Sequence, residues 1–269
     1  MPKTPRLLPV DFAAAYRTRM AELGFCEKPA AEWDGKAADF NAKVHQPSPY
    51  ADAFLGRMDI RADDTVLDVG CGPGILALRL APQVRHLYGL DYSPAMLQYL
   101  QENAKAVGCH NITPLSLSKE ANWCGRVPVC DSVVASRSGL DGDLAALFVK
   151  LSAHACRAVY FSMLVGGRFD YPPISALLGR DHTPYPDYIY AVNILYQMGY
   201  DAEVSFIVTL GRLADCTDPD DFLHRMCSAY NPLTAADLDR LTAFFHAEHH
   251  RFGQEAFAMK WALLSWRTD

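Results

Sequence analysis

The run VLDVGCGPG, residues 66–74, narrows the fold more than any other stretch of the chain. A compact apolar segment from Thr65, TVLDVG, ends in glycine and passes through a Gly/Pro turn into the helical pattern ILALRLA. RHLYGLD repeats the plan, with SPAMLQYLQENAKAVG as its helix. Ser93 suits the N-cap of that helix, Pro94 its first position and Gly108 its end. NITPLSL, VCDSVVAS and CRAVYFSML read as three further strands, the last of them preceded by the helix DGDLAALFVKLSAHA. Strands that alternate with helices predict parallel βαβ units with right-handed crossovers.

The glycine turn carries the chemistry. Gly70, Gly72 and Gly74 fall between a strand and a helix, where a missing Cβ lets backbone pass close beneath a ligand. A GxGxG run alone also fits a tight structural turn. Asp91 raises its meaning: it ends the second strand, 21 residues after Gly70, where a carboxylate can accept hydrogen bonds from both ribose hydroxyls of an adenosine cofactor. The nicotinamide fingerprint is G-x-G-x-x-G, whereas this loop reads GCGPGI, with glycine fifth and isoleucine sixth. Asp68 stands two residues before the first glycine, where it would repel a pyrophosphate but suit a ligand bearing an ammonium and a sulfonium.

VLDVGCGPG followed by GLDYSPAML resembles the class I S-adenosylmethionine-dependent methyltransferases, over roughly residues 33–165. The resemblance implies a Rossmann-like α/β fold: a seven-stranded mixed sheet with one antiparallel strand near the C-terminus, helices on both faces and an added helical lid. It implies S-adenosylmethionine as cofactor and S-adenosylhomocysteine as product. Asp68 and the loop Gly70–Cys71–Gly72–Gly74 would cradle the methionine part, and Asp91 the ribose hydroxyls. Tyr92 and Met96 would lie by the adenine. Ala135, Ser136, Arg137 and Ser138, at the end of the fourth strand, would border the sulfonium and face the acceptor. Relatives often place an acid after the third strand to bond the adenine amino group; here Ser118 takes that place, with Glu120 two residues on. Trp123 fits either a stacking role or the core.

The flanks differ in character. Phe12, Tyr16, Met20 and Leu23 keep helical spacing, and a second helix is expected around Ala30–Val44, ended by HQPSPY. Beyond the fifth strand, Tyr188–Met198 reads as a helix and AEVSFIVTL as a strand. DDFLHRMCSAY and TAADLDRLTAFFHAEHH read as helices, and MKWALLSW as the last strand. These patterns predict a helical lid over 1–60 and a Rossmann-like domain over 61–269, with a helical insertion near 212–256.

Methyl transfer leaves a faint signature, because a general base is needed only when the acceptor must lose a proton. His45 and Tyr50 flank the Pro-rich segment that in relatives folds over the cofactor. Asp181, His182, Tyr185 and Tyr188 follow the fifth strand, a usual acceptor-binding place. Capping, surface exposure and packing would explain each of these residues as well. His246, His249 and His250 alternate around a helix, so no metal site is expected.

Twenty-five basic against thirty-one acidic residues give a net charge of −6. Nucleic-acid binding needs clustered Lys and Arg, and ASRSG lacks the Asn/Asp-Pro-Pro-aromatic tetrad of amino-methylating nucleic-acid enzymes. A small-molecule acceptor is therefore expected. A methyltransferase acting on RNA or protein, or a non-catalytic protein that binds S-adenosylmethionine or S-adenosylhomocysteine, are the alternatives. The eight cysteines show no CxxC spacing, no run reaches the ~20 apolar residues of a membrane helix, and no signal pattern opens the chain. A cytoplasmic protein with reduced thiols is expected. Oligomeric state stays open, since the apolar N-terminal helix suits either a homodimer contact or a lid.

Overall fold

A computed structural model describes residues 4–180, 183–211, 213–254 and 257–269. Four helices come first: α1 (Phe12–Glu22), α2 (Ala30–Asp34), α3 (Ala37–Asn41) and α4 (Pro49–Leu55). The alternating section begins with β1 (Thr65–Val69), α5 (Ala77–Leu80), β2 (His86–Asp91) and α6 (Pro94–Ala106). It continues with β3 (Ile112–Ser116), β4 (Cys130–Ala135), α7 (Leu144–Ala153) and β5 (Ala155–Leu164). Then come α8 (Pro172–Leu177), α9 (Tyr188–Gln197), β6 (Glu203–Thr209), α10 (Pro219–Ala229), α11 (Ala235–Glu248) and β7 (Met259–Arg267).

The strands form one sheet in the order β3-β2-β1-β4-β5-β7-β6. β1 to β5 pair in parallel, with Asp68 beside Gly89 on one side and Val134 on the other. One strand near the C-terminus runs antiparallel, which completes the mixed sheet expected from the sequence. Winding reverses between β1 and β4. In such sheets the crevice for ligands opens at the carboxyl ends of the strands flanking that point.

The chain divides into two compact units. The first comprises the chain through Met163, Pro186–Ile207 and Ala262–Asp269; the second comprises Leu164–Tyr185 and Val208–Trp261. In the first, β1 and β4 are buried along nearly their whole length, as strands covered on both faces must be. Phe148 of α7 is fully buried and meets Phe161 of β5 and Trp266 of β7 edge-on, at 5.0 and 5.2 Å between ring centroids. The Trp266 indole N–H donates to Ser152 Oγ at 3.0 Å, so the ring's polar atom is satisfied in the core. The second unit has an aromatic core of its own. Phe222, Phe245, Phe252 and Phe257 pack there with Tyr171, Ile174 and Leu241.

Local signals explain the helix ends. Ser93 Oγ accepts from the Met96 N–H, Pro94 opens α6, and Gly108 takes φ +67° just past its end. The stretch 30–44 differs from the single helix expected there: it forms two five-residue helices broken at Gly35–Lys36. Glycine is a poor helix interior residue. In addition, Asp34 turns its carboxylate to the Ser93 hydroxyl and the Ala95 N–H, at 2.6 and 3.1 Å.

Phe148→Ala should lower stability by about 3–5 kcal/mol, the cost of truncating a buried aromatic and leaving a cavity. Urea unfolding of the full chain checks this. A loss below ~1 kcal/mol would mean that the core closes around the gap.

Candidate active site

The carboxyl ends of β1, β2 and β4 bring two buried acids and a glycine loop together. Asp68 is 2% exposed, and its Oδ2 has no hydrogen-bond partner among the described residues. Burial, then the nearby Asp91 charge, pushes its pKa up to about 7. Asp91 is better provided for. Its Oδ1 accepts from the Ser93 N–H at 3.0 Å and its Oδ2 from the Gly72 N–H at 2.9 Å. Burial still raises its pKa, against the pull of those N–H groups. The Asp91 carboxylate, with about four lone-pair positions, retains accepting capacity beyond its backbone bonds. A buried carboxylate oxygen left without a donor is costly, so the site fits a ligand that brings a cation to Asp68 and hydroxyls to Asp91.

The three glycines do different work. A Cβ on Gly70 (φ +71°) would come 2.4 Å from Ser138 Cβ, so this glycine lets the turn after β4 abut the loop after β1. A Cβ on Gly74 (φ +101°) would strike Leu100, so that glycine lets the loop pack on α6. Only the sulfur of Met96 lies near Gly72, at 3.9 Å from its would-be Cβ. Gly72 is thus the open floor of the loop.

Residues 66–136 match a family model described as a methyltransferase domain. Over 266 residues the chain is 33% identical to an uncharacterized protein of Haemophilus influenzae, a match spanning 97% of each. Residues 66–136 are accordingly a methyltransferase domain of the S-adenosylmethionine-dependent kind. Two shorter similarities are to enzymes named for different acceptors. One is to the ubiquinone biosynthesis O-methyltransferase of Pasteurella multocida, 36% identical over 90 residues, which are 33% of this chain and 37% of that one. Another is to a 23S rRNA uracil C5-methyltransferase of Salmonella choleraesuis, 41% identical over 56 residues, 21% of this chain and 13% of that one. The chain thus spans well under half the length of these two relatives. In fold it resembles the YcgJ protein of Bacillus subtilis, with a TM-score of 0.55 at 15% identity over 81% of this chain and 97% of that one. It likewise resembles phosphoethanolamine N-methyltransferase 2 of Haemonchus contortus, solved with S-adenosylhomocysteine. That TM-score is 0.55 at 15% identity, over 96% of this chain and 60% of that one.

In this methyltransferase the remaining residues singled out from sequence fall in several places. The Cys71 side chain turns into the core against Gly89, and burial raises its thiol pKa, so only its backbone belongs to the loop surface. Met96 is buried below Gly72. The Tyr92 hydroxyl donates to the Lys28 carbonyl at 2.8 Å, tying the N-terminal segment to the end of β2. Ser118 sits just past Leu117, whose N–H donates to the Asp91 carbonyl. Its Oγ accepts from the Ala121 N–H, and its carbonyl accepts from the Trp123 indole. Trp123 itself is 2% exposed, a core residue. Glu120 is exposed. It joins Glu27 and Asp141 around the Lys119 ammonium, at 4.0, 3.2 and 3.3 Å.

At the end of β4, Ala135 is buried and Ser136 Oγ meets the Tyr50 hydroxyl at 2.9 Å. Tyr50 also meets Ser162 Oγ at 2.6 Å. His45 is exposed. Tyr185 lies in the second unit, where its N–H donates to the Gly167 carbonyl. Asp181 and His182 lie outside the described residues. Asp34 and Ser162 escaped sequence reasoning. Asp34 carries no motif, whereas Ser162 is a hydroxyl inside the apolar run CRAVYFSML.

Because both acids have raised pKa values, the folded chain holds their protons more tightly than the unfolded chain. The Asp68 contribution is therefore complete below about pH 4 and is lost as pH rises through about 7, and that of Asp91 is likewise lost as pH rises. Without cofactor, the wild-type protein should lose up to ~4 kcal/mol more stability over that interval than Asp68→Asn. Urea titrations across pH check this, and parallel profiles would contradict an elevated Asp68 pKa.

Proposed function

We propose that this methyltransferase transfers methyl to a small-molecule acceptor in the cytoplasm, and that the N-terminal segment helps to limit acceptor size. The supporting observation is the position of that segment. Tyr92 is tied to Lys28, Ser93 to Asp34, and Ser136 to Tyr50. Residues 28–50 thus lie across the ends of β2 and β4, and a large acceptor would have to displace them to reach Ser136. The net charge of −6 points the same way, since an RNA acceptor calls for a basic face.

The roles of the site residues follow from their chemistry. Asp68 would hold the ammonium of the cofactor and take the ionised form in doing so. Asp91 would accept from the ribose hydroxyls, held in place by the Ser93 and Gly72 N–H groups. The loop Gly70–Cys71–Gly72–Gly74 would run beneath the methionine part, with Gly72 closest. Tyr92 and Met96 would flank the adenine, and the Ser118 hydroxyl would take the place of the acid found in relatives. Bound S-adenosylmethionine supplies a methyl group already activated on a sulfonium, so transfer is an in-line displacement. Ala135 and Ser136 would border the methyl-receiving position, and Tyr50 would fix Ser136 through their shared hydrogen bond. The chain's main task is then orientation, which can supply several kcal/mol.

S-adenosylhomocysteine should bind the wild-type protein in a calorimetric titration, NAD should not, and Asp91→Ala should weaken binding at least tenfold (~1.4 kcal/mol). Binding of NAD alone would overturn the assignment of these residues. For the acceptor, methyl-labelled cofactor incubated with cell extract should place label in the small-molecule fraction. Label confined to RNA or protein would refute the small-molecule reading, and tight binding with no transfer to any fraction would favour a non-catalytic role.

A further inference from the structure

Among the described residues, Arg137 is the one non-glycine residue with a left-handed backbone, at φ +55°. That conformation is strained for an L-residue and persists only where the surroundings impose it. Here they do. Ser136 Oγ is bonded to the Tyr50 phenol, the Arg137 N–H donates to Ser162 Oγ at 2.9 Å, and Ser138 Oγ donates to the Val69 carbonyl at 2.6 Å. Each of three consecutive residues is therefore pinned to a different element: α4, β5 and β1.

The result is a fixed place for one guanidinium. Arg137 Cζ lies 3.5 Å from the centroid of the Tyr50 ring. The residue is exposed by surface area, yet enough protein surrounds it to push its pKa down. Its turn adjoins the glycine loop, since Ser138 abuts Gly70. Stacking on an aromatic ring engages the face of a guanidinium, and the Arg137 side chain also hydrogen-bonds Tyr50; a carboxylate or phosphate pairs with two of a guanidinium's five N–H donors in a bidentate fork. Asp68 and Asp91 make the β1–β2 side of the site acidic, and Arg137 sets a cation on the β4–β5 side.

We propose that Arg137 recognises an oxyanion, a carboxylate or a phosphate, on the acceptor, so that the substrate is an acidic small molecule. This rests on the small-molecule reading above. Packing on Tyr50 alone would not need the left-handed turn, because an arginine in ordinary backbone geometry can stack on a ring.

The test uses the full chain saturated with S-adenosylhomocysteine and three probes of similar shape: benzoate, phenyl phosphate and the neutral benzamide. At least one anion should bind tenfold or more tightly than benzamide. Arg137→Gln should abolish the difference and Arg137→Lys should keep part of it, with S-adenosylhomocysteine affinity unchanged in both variants. The preferred anion then separates a carboxylate from a phosphate acceptor. Equal binding of anions and benzamide, or an anion preference that survives in Arg137→Gln, would overturn the proposal. So would a parallel loss of S-adenosylhomocysteine affinity in Arg137→Gln, which would reveal a residue that only supports the turn. Failure of the small-molecule reading looks different: label appears only in macromolecules, whatever the probes do.

Discussion

Two carboxylates, Asp68 and Asp91, end neighbouring parallel strands in surroundings that oppose their charge. Water is largely excluded from both, the Asp91 charge raises the cost of ionising Asp68, and the Asp34 charge raises that of Asp91. Asp91 is held by two backbone N–H groups, one from the glycine loop and one from the start of α6. Asp68 Oδ2 has no such support. A proton relieves the electrostatic cost at Asp68, and a ligand that brought a cationic group there would relieve it too.

Close approach is the second constraint. Gly70 lets the turn after β4 lie against the loop after β1, and Gly74 lets that loop settle on Leu100 of α6. With those contacts made, the three serines 136, 138 and 162 can each find a partner, and the strained backbone of Arg137 is held between them. The glycine loop and the turn after β4 are thus one mechanical assembly. A change at Gly70 would disturb the turn after β4 as directly as it would disturb the loop.

The N-terminal segment belongs to this assembly as well. Tyr50, Asp34 and the Lys28 carbonyl each meet a residue at the end of a strand or the start of a helix in the sheet. Elsewhere in the first unit, Glu27 and Asp141 share the Lys119 ammonium, and Tyr16 donates to the Asp141 carbonyl. These are long-range pairings between polar groups, made where the apolar core ends.

Much of the fold was legible in the sequence, because its signals act over a few residues. The alternation of strand and helix, the capping Ser93 and Pro94, and the glycine after β1 each encode a local geometry that survives in any context. Asp68 and Asp91 were legible for the same reason, since their distance from the glycines along the chain sets their place at the strand ends. Other features depended on contacts that no local pattern records. Tyr50 meets Ser136 and Ser162 across 86 and 112 residues, and Asp34 meets Ser93 across 59. The helix expected over 30–44 breaks where Asp34 is drawn toward α6. Equally hidden were the inward turn of Cys71 and the different duties of Gly70, Gly72 and Gly74, while for Trp123 the structure takes the core, one of the two places the sequence allowed. The sequence by itself determined a parallel βα sheet with an acidic, glycine-lined crevice, since backbone sterics and periodicity are local. Tertiary structure alone decided what faces that crevice, because side chains far apart in the chain meet only after the sheet has closed around its core.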